Sequence, residues 1–349
     1  MKKILAMLLA VMMLLSVASV AMAEGETDTP ATPTYTDHGT VTLTKTYKLV
    51  GEGTSPAETF TYTIDKVSVT DAASTVTKEN MPVPTFADEK GEIAFTAGEA
   101  TTAGASKDLT INLPTYTSVG VYTYTIEETS SKTLGVIYDE TAYTLVVTVI
   151  HGENGLIREV ALRKTGADTK SDTAAFENTY TANKLSVTKN VTGKLGDQSK
   201  KFKFEVRFNN QNPNNTEMKS TVTATIAGVE DTNFSFSFTE NYTFELSHGQ
   251  TAVFANLPAG ITYKVFELDE NNEVISDTEK QMNGKYTVSY DSNKEGLTDA
   301  TAKQTTITNT YDGTPDMGVM LDSMPYVLVL AVVGAAVIAL IAKKRRAED

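Results

Sequence analysis

The chain has no cysteine and no tryptophan. The first absence excludes disulfides, thiolate metal sites and a cysteine nucleophile. Histidine is nearly as scarce: His38, His151 and His248 are the only three, far apart and in polar or turn-like settings. That leaves no material for a histidine-based triad or a multi-histidine metal site. Basic charge is in the minority, with Lys+Arg 30 against Asp+Glu 44 and a net charge of −14 over 349 residues. This balance repels phosphate backbones and argues against a nucleic-acid partner. Long apolar runs are confined to the two ends, and the stretch between them shows no long helical period. What is present is 40% hydrophobic and 21% charged residues, enough for a packed core in a chain long enough for two ordinary domains.

The ends read as export and anchoring signals. Residues 1–23 combine Lys2 and Lys3, an apolar run from Ile4 to Val20, and Ala21-Met22-Ala23; a basic start, an apolar middle and an A-x-A ending predict a secretory signal peptide cleaved after Ala23. Residues 24–39 are mostly Thr, Pro, Asp, Glu and Gly and read as an exposed linker. At the other end, 324–342 is apolar and uncharged and is followed by the basic tail 343–349. Such a run predicts a transmembrane helix, and Lys343, Lys344, Arg345 and Arg346 would keep the tail cytoplasmic and the body outside.

The body predicts an all-β class. Thr alternates with apolar residues over many short runs. Val41, Leu43 and Tyr47 share a parity, as do Tyr122, Tyr124 and Ile126, and Phe202, Phe204, Val206 and Phe208. Period-two patterning of this kind means half-buried strands, most simply in sandwiches. The body also repeats itself in order. Thr42-Leu43-Thr44-Lys45 parallels Ser186-Val187-Thr188-Lys189, and Thr59-Phe60-Thr61-Tyr62 parallels Lys201-Phe202-Lys203-Phe204. Phe176-Glu177-Asn178-Thr179-Tyr180 parallels Ile307-Thr308-Asn309-Thr310-Tyr311. Two domains follow, 40–181 and 182–311, joined near Thr181 to Asn183, with 312–323 as a spacer before the apolar run.

Strand parity then places three polar residues of each repeat on the apolar face. Lys45 falls with Leu43 and Tyr47, Glu128 with Tyr124 and Ile126, and Asn178 between Phe176 and Tyr180; Lys189, Glu267 and Asn309 repeat the set. Glu127 has the outward parity. Burial penalises the charged forms of an amine and an acid. A neutral lysine is a nucleophile. A protonated glutamate could donate a hydrogen bond to the asparagine carbonyl and shuttle protons while the amine displaces ammonia, leaving a Lys–Asn isopeptide bond. Such a constellation would consume itself once per domain, which disfavours an enzyme.

These pieces — Leu43-Thr44-Lys45, Tyr124 to Glu128 and Asn178 to Tyr180, with their counterparts around Lys189, Glu267 and Asn309 — resemble the Gram-positive major pilins of streptococcal type. The resemblance covers roughly Thr40 to Tyr311. It implies tandem immunoglobulin-like (Cna B-type) sandwiches, each closed by an isopeptide bond from the first strand to the last, with the acid beside both partners and no cofactor or metal.

The resemblance also gives the C-terminus a meaning. Family members carry a sortase signal before the apolar span, and Thr314-Pro315-Asp316-Met317-Gly318 keeps its proline and glycine. Thr314 stands where the family has leucine and Met317 where it has threonine. Cleavage would fall between Met317 and Gly318. The acceptor amine on the next subunit corresponds to Lys170, with Lys164 as the alternative. The expected partners are a sortase, other pilin subunits, and a peptidoglycan or membrane anchor at the cell surface. The alternative function is a minor pilin or wall-anchored adhesin using the same domains as a stalk, which would add a host surface ligand.

Overall fold

The computed structural model describes residues 35–275, 285–313 and 324–345. The expected leader with its cleavage point at Ala23, most of the linker and the sorting segment Thr314–Gly318 lie outside the described residues.

Thr-apolar alternation becomes strand throughout the body. The first half holds β1 (Thr40–Gly51), β2 (Glu58–Thr70), β3 (Thr85–Phe86), β4 (Glu92–Phe95), β5 (Ala105–Asn112), β6 (Gly120–Thr129), β7 (Val136–Ile137), β8 (Ala142–Gly152), β9 (Gly155–Lys164) and the long β10 (Thr173–Thr192). After it come β11 (Phe202–Asn210), β12 (Thr223–Ile226), β13 (Val229–Glu230), β14 (Tyr242–Leu246), β15 (Thr251–Pro258), β16 (Ile261–Leu268), β17 (Thr287–Tyr290), β18 (Glu295–Leu297) and β19 (Lys303–Thr310). The strongest alternation, as in β1 and β6, gives strict buried and half-exposed turns along the strand, the pattern of a strand with one face in a core.

Two cores result. Val41, Leu43 and Tyr47 of β1 and Phe176 of β10 meet Phe60, Tyr124 and Leu145 of the five-stranded sheet β4-β2-β6-β8-β9. Leu185 and Val187 of β10 and Ile307 of β19 meet Phe204, Val206 and Val265 of the four-stranded sheet β14-β11-β16-β18. The remaining strands form one sheet shared by both cores, in which β10 lies at the centre. In each half the first and last strands pair in parallel: β1 with β10 from Thr42↔Thr173 to Gly51↔Ala182, and β10 with β19 from Leu185↔Lys303 to Thr192↔Thr310.

β10 therefore ends one half and begins the next without a break. Its buried positions are even-numbered up to Tyr180 and odd-numbered from Asn183 onward, with Tyr180 to Asn183 buried in succession. The pairing with β15 slips between Asn183 and Leu185. A one-residue irregularity resets the period-two alternation, so the segment expected as a join is itself strand. Gly51 fits the same crossing: its φ is +88°, and a Cβ there would stand 2.3 Å from the Ala182 carbonyl oxygen.

At the C-terminus, α1 spans Met324–Arg345. Among the described residues no helix is long and apolar enough to cross a membrane. The transmembrane helix expected for 324–342 is not shown by the described residues.

Candidate cross-linking sites

Each half brings one lysine, one glutamate and one asparagine together in the same way. Lys45 on β1 pairs with Phe176, and Tyr47 pairs with Asn178, so Lys45 and Asn178 are diagonal neighbours on one face of a parallel ladder. The second half repeats the offset: Lys189 pairs with Ile307, and Val191 with Asn309. The acid comes from the opposite sheet in both, Glu128 from β6 and Glu267 from β16. The side chains of both Lys–Glu pairs are fully buried, and so are Asn178 and Asn309.

In the first site Lys45 Nζ lies 2.5 Å from Glu128 Oε2, and Asn178 Nδ2 donates to Glu128 Oε1. In the second, Lys189 Nζ is 2.9 Å from Glu267 Oε2 and Asn309 Nδ2 is 2.6 Å from Glu267 Oε1. A phenyl ring floors each amine: Lys45 Nζ stands 4.3 Å from the Phe60 centroid and Lys189 Nζ 4.3 Å from that of Phe202. The aligned Phe60 and Phe202 of the sequence repeat thus occupy one geometric role.

The surroundings favour neutral forms. Burial pulls both lysines down from 10.5 to about 8, although the neighbouring glutamate pushes back in each case. Burial raises the Glu128 carboxyl, against the opposing pull of Lys45 and Asn178. In the first site both shifts run toward neutrality, so burial lowers the cost of passing a proton from Lys45 to Glu128.

One element of the sequence reading changes. The glutamate was expected to donate to the asparagine carbonyl; instead Glu128 faces the asparagine nitrogen, and the carbonyl Oδ1 of Asn178 accepts from the Asp139 backbone N–H at 2.7 Å. Asn309 Oδ1 has no hydrogen-bond partner among the described residues. Asp139 escaped the sequence reading, although Asp139-Glu140-Thr141 carries the signature of an Asx turn. Glu58 was also missed. It is buried at the start of β2, accepts from Thr133 Oγ1 at 2.5 Å and holds Lys219 Nζ of the second half at 2.9 Å. Lys219 differs from the two site lysines: burial pulls it down, but Glu58 outweighs that and raises it, so it stays an ammonium.

Of the remaining expected residues, Glu127 is exposed, as are Lys164 at the end of β9 and Lys170 in the loop before β10. Among the described residues no cluster of three or more His, Asp or Glu could hold a metal ion.

Comparison with known proteins places the whole. Residues 41–181 match the family model described as a Spy0128-like isopeptide containing domain (FctA), and residues 183–311 match a domain of unknown function (DUF7601). A curated pilin from Streptococcus pyogenes serotype M1 is 30% identical over 229 residues, covering 64% of this chain and 67% of that one. The chain belongs to the streptococcal-type pilins. The pilin is a structural subunit of a pilus and associates with other pilin subunits. Two major pilin structures from Streptococcus pyogenes align with it at 23% identity and a TM-score of 0.47. The first, T3.2 from serotype GAS13637, covers 79% of this pilin and 99% of its own chain; the second covers 80% and 100%.

Proposed function

We propose that this pilin subunit cross-links itself twice, Lys45 to Asn178 and Lys189 to Asn309, with Glu128 and Glu267 as the respective proton shuttles. The bonds close two successive immunoglobulin-like domains, 40–181 and 182–311. The observation that carries this reading is the recurrence of one buried Lys–Glu–Asn arrangement, with the same register offset, in both halves. An isolated buried ion pair stabilises poorly, whereas converting amine and carboxamide into an amide removes the buried charge altogether.

The subunit is then exported, held as a membrane-anchored precursor through 324–342 and its basic tail, and joined to its neighbours by a sortase acting at Thr314–Gly318, with Lys170 or Lys164 as the acceptor. The support for this part is the sequence layout at the two ends and the exposure of both lysines.

Intact mass tests the first part. The wild-type body falls below its sequence mass by two ammonias; Lys45→Ala or Asn178→Ala restores one, and Lys189→Ala or Asn309→Ala the other. An unmodified wild-type mass refutes the cross-links. For the second part, wild type with the cognate sortase gives a ladder that survives boiling in detergent. Replacement of Pro315 and Gly318 removes the ladder, and a ladder that persists without them rejects the motif.

A further inference from the structure

We propose that the backbone amide of Asp139 is the oxyanion-binding group of the first cross-linking site, held in place by its own side chain, and that Glu128 works between the two nitrogens and not on the carbonyl. This rests on the Lys45–Asn178 bond proposed above.

The placement begins with β7, which pairs with β10 at Ile137↔Thr179 and Val136↔Tyr180. Two residues further on, the ladder is replaced by a side-chain exchange. The Asp139 carboxylate accepts from Glu177 N at 2.8 Å through Oδ2 and from Thr141 N at 2.8 Å through Oδ1. The Asp139 N–H, instead of continuing the ladder, donates to Asn178 Oδ1 at 2.7 Å. Asp139 thus clips its loop to the residue preceding Asn178 and aims its amide at the Asn178 side chain. Although burial opposes it, hydrogen bonding by Thr141 and Glu177 keeps this carboxyl below its ordinary range, so it stays an acceptor.

A backbone N–H can only donate, so this contact also settles which end of the carboxamide is which. Oδ1 faces Asp139, and Nδ2, the nitrogen to be expelled, faces Glu128 Oε1. The attacking nitrogen, Lys45 Nζ, lies against the other oxygen, Oε2. One carboxyl group therefore spans both nitrogens.

The chemistry then balances within the site. A proton passes from the Lys45 ammonium to Glu128, freeing the amine. The Nζ lone pair forms a bond to Asn178 Cγ, and the carbonyl π pair moves to Oδ1, where the new charge meets the Asp139 N–H. Glu128 gives its proton to Nδ2 and takes one from Nζ. The Oδ1 pair re-forms the carbonyl, the Cγ–Nδ2 bond breaks and ammonia leaves. Glu128 finishes protonated, so no charge stays buried.

The test follows each bond with time in freshly translated body protein, by intact mass and by mapping the cross-linked peptides. Asp139→Pro deletes the N–H and slows the Lys45–Asn178 bond by about 10²-fold, the usual effect of losing one oxyanion donor. Asp139→Ala keeps the N–H but loses the clip, and falls between Asp139→Pro and wild type. Asp139→Asn keeps one of the two acceptor oxygens, for Thr141 or for Glu177, and gives a rate between Asp139→Ala and wild type, which separates positioning from mere loss of fold. The Lys189–Asn309 bond forms at the wild-type rate in all three and serves as the folding control. If Asp139→Pro misfolds and the control bond slows, the Ala and Asn pair decides. Two ammonia losses in wild type, with an undiminished first-bond rate in Asp139→Ala and Asp139→Pro, overturn the role of Asp139. A wild type that keeps both ammonias overturns instead the cross-link reading beneath it.

Discussion

Asn178 and Lys189 lie on one uninterrupted strand, β10, eleven residues apart, and both are fully buried. An undisturbed strand would send residues of opposite parity to opposite faces, and the irregularity at Asn183 to Leu185 is what reconciles them. With both cross-links formed, a path from Lys45 to Asn178, along β10 to Lys189 and across to Asn309 consists of covalent bonds alone.

Mechanical extension follows from that path. In each half the first and last strands are parallel neighbours, so tension between them loads a hydrogen-bonded ladder in shear unless a covalent bond takes it. Glu128→Ala with Glu267→Ala leaves the fold largely intact but unbonded. In single-molecule pulling this double variant extends domain by domain and is cut by trypsin, while the wild type does neither. Each bond also restricts the unfolded chain, by about 4–5 kcal/mol on the chain-entropy account developed for disulfides. Equal extension in the two proteins would show that the cross-links do not carry the tension.

The pH dependence of stability separates bonded from unbonded protein. In Asn178→Ala with Asn309→Ala both lysines remain amines, held near 8 by burial against 10.5 when unfolded. Between about pH 8 and 10 the unfolded chain binds more protons than the folded one, so stability rises with pH there; below about pH 8 the burial cost is present in full. In cross-linked wild type those nitrogens are amides and do not titrate. Denaturant midpoints, taken as the difference between variant and wild type so that other groups cancel, narrow as pH rises through this window. A constant difference contradicts the prediction.

The joint between the halves depends on Glu58. Lys219→Ala leaves that carboxylate buried with Thr133 as its remaining hydrogen-bond donor among the described residues. Stranding a buried charge costs several kcal/mol when the pair is fully enclosed. Lys219 is partly exposed, so a loss of about 1–3 kcal/mol is expected. Glu58→Gln with Lys219→Met recovers most of it in a double-mutant cycle, read by chemical denaturation. Additive losses would show that the two residues do not act as a pair.

Gly51→Ala tests the crossing of β1 and β10. The residue combines a left-handed φ of +88° with a backbone oxygen 2.3 Å from the would-be Cβ, so neither the conformation nor the space suits a side chain. A loss of about 1–3 kcal/mol is expected from the backbone strain, visible as a lower thermal midpoint in the unbonded variant. An unchanged midpoint would mean that the crossing relaxes freely.

Much of this protein can be read from alternation and repetition. The parity of Lys45, Glu128 and Asn178 against Leu43, Ile126 and Phe176 depends only on the period of a strand, which is local, and the second copy around Lys189, Glu267 and Asn309 removes the ambiguity of any single strand. Hence the all-β class and the inward-facing residues were legible in the sequence. Three matters were not. That β10 runs through the join depends on its pairing with β1, β15 and β19 together, partners distant in sequence. That Glu58 meets Lys219 depends on how the halves dock, and residues 161 positions apart leave no local trace of such a contact. That Asp139, and not Glu128, addresses the Asn178 carbonyl depends on where a backbone amide points at the end of a two-residue strand. Periodicity assigns a side chain to a face. Which atom meets which is set by the register of distant strands, and only the folded chain determines that.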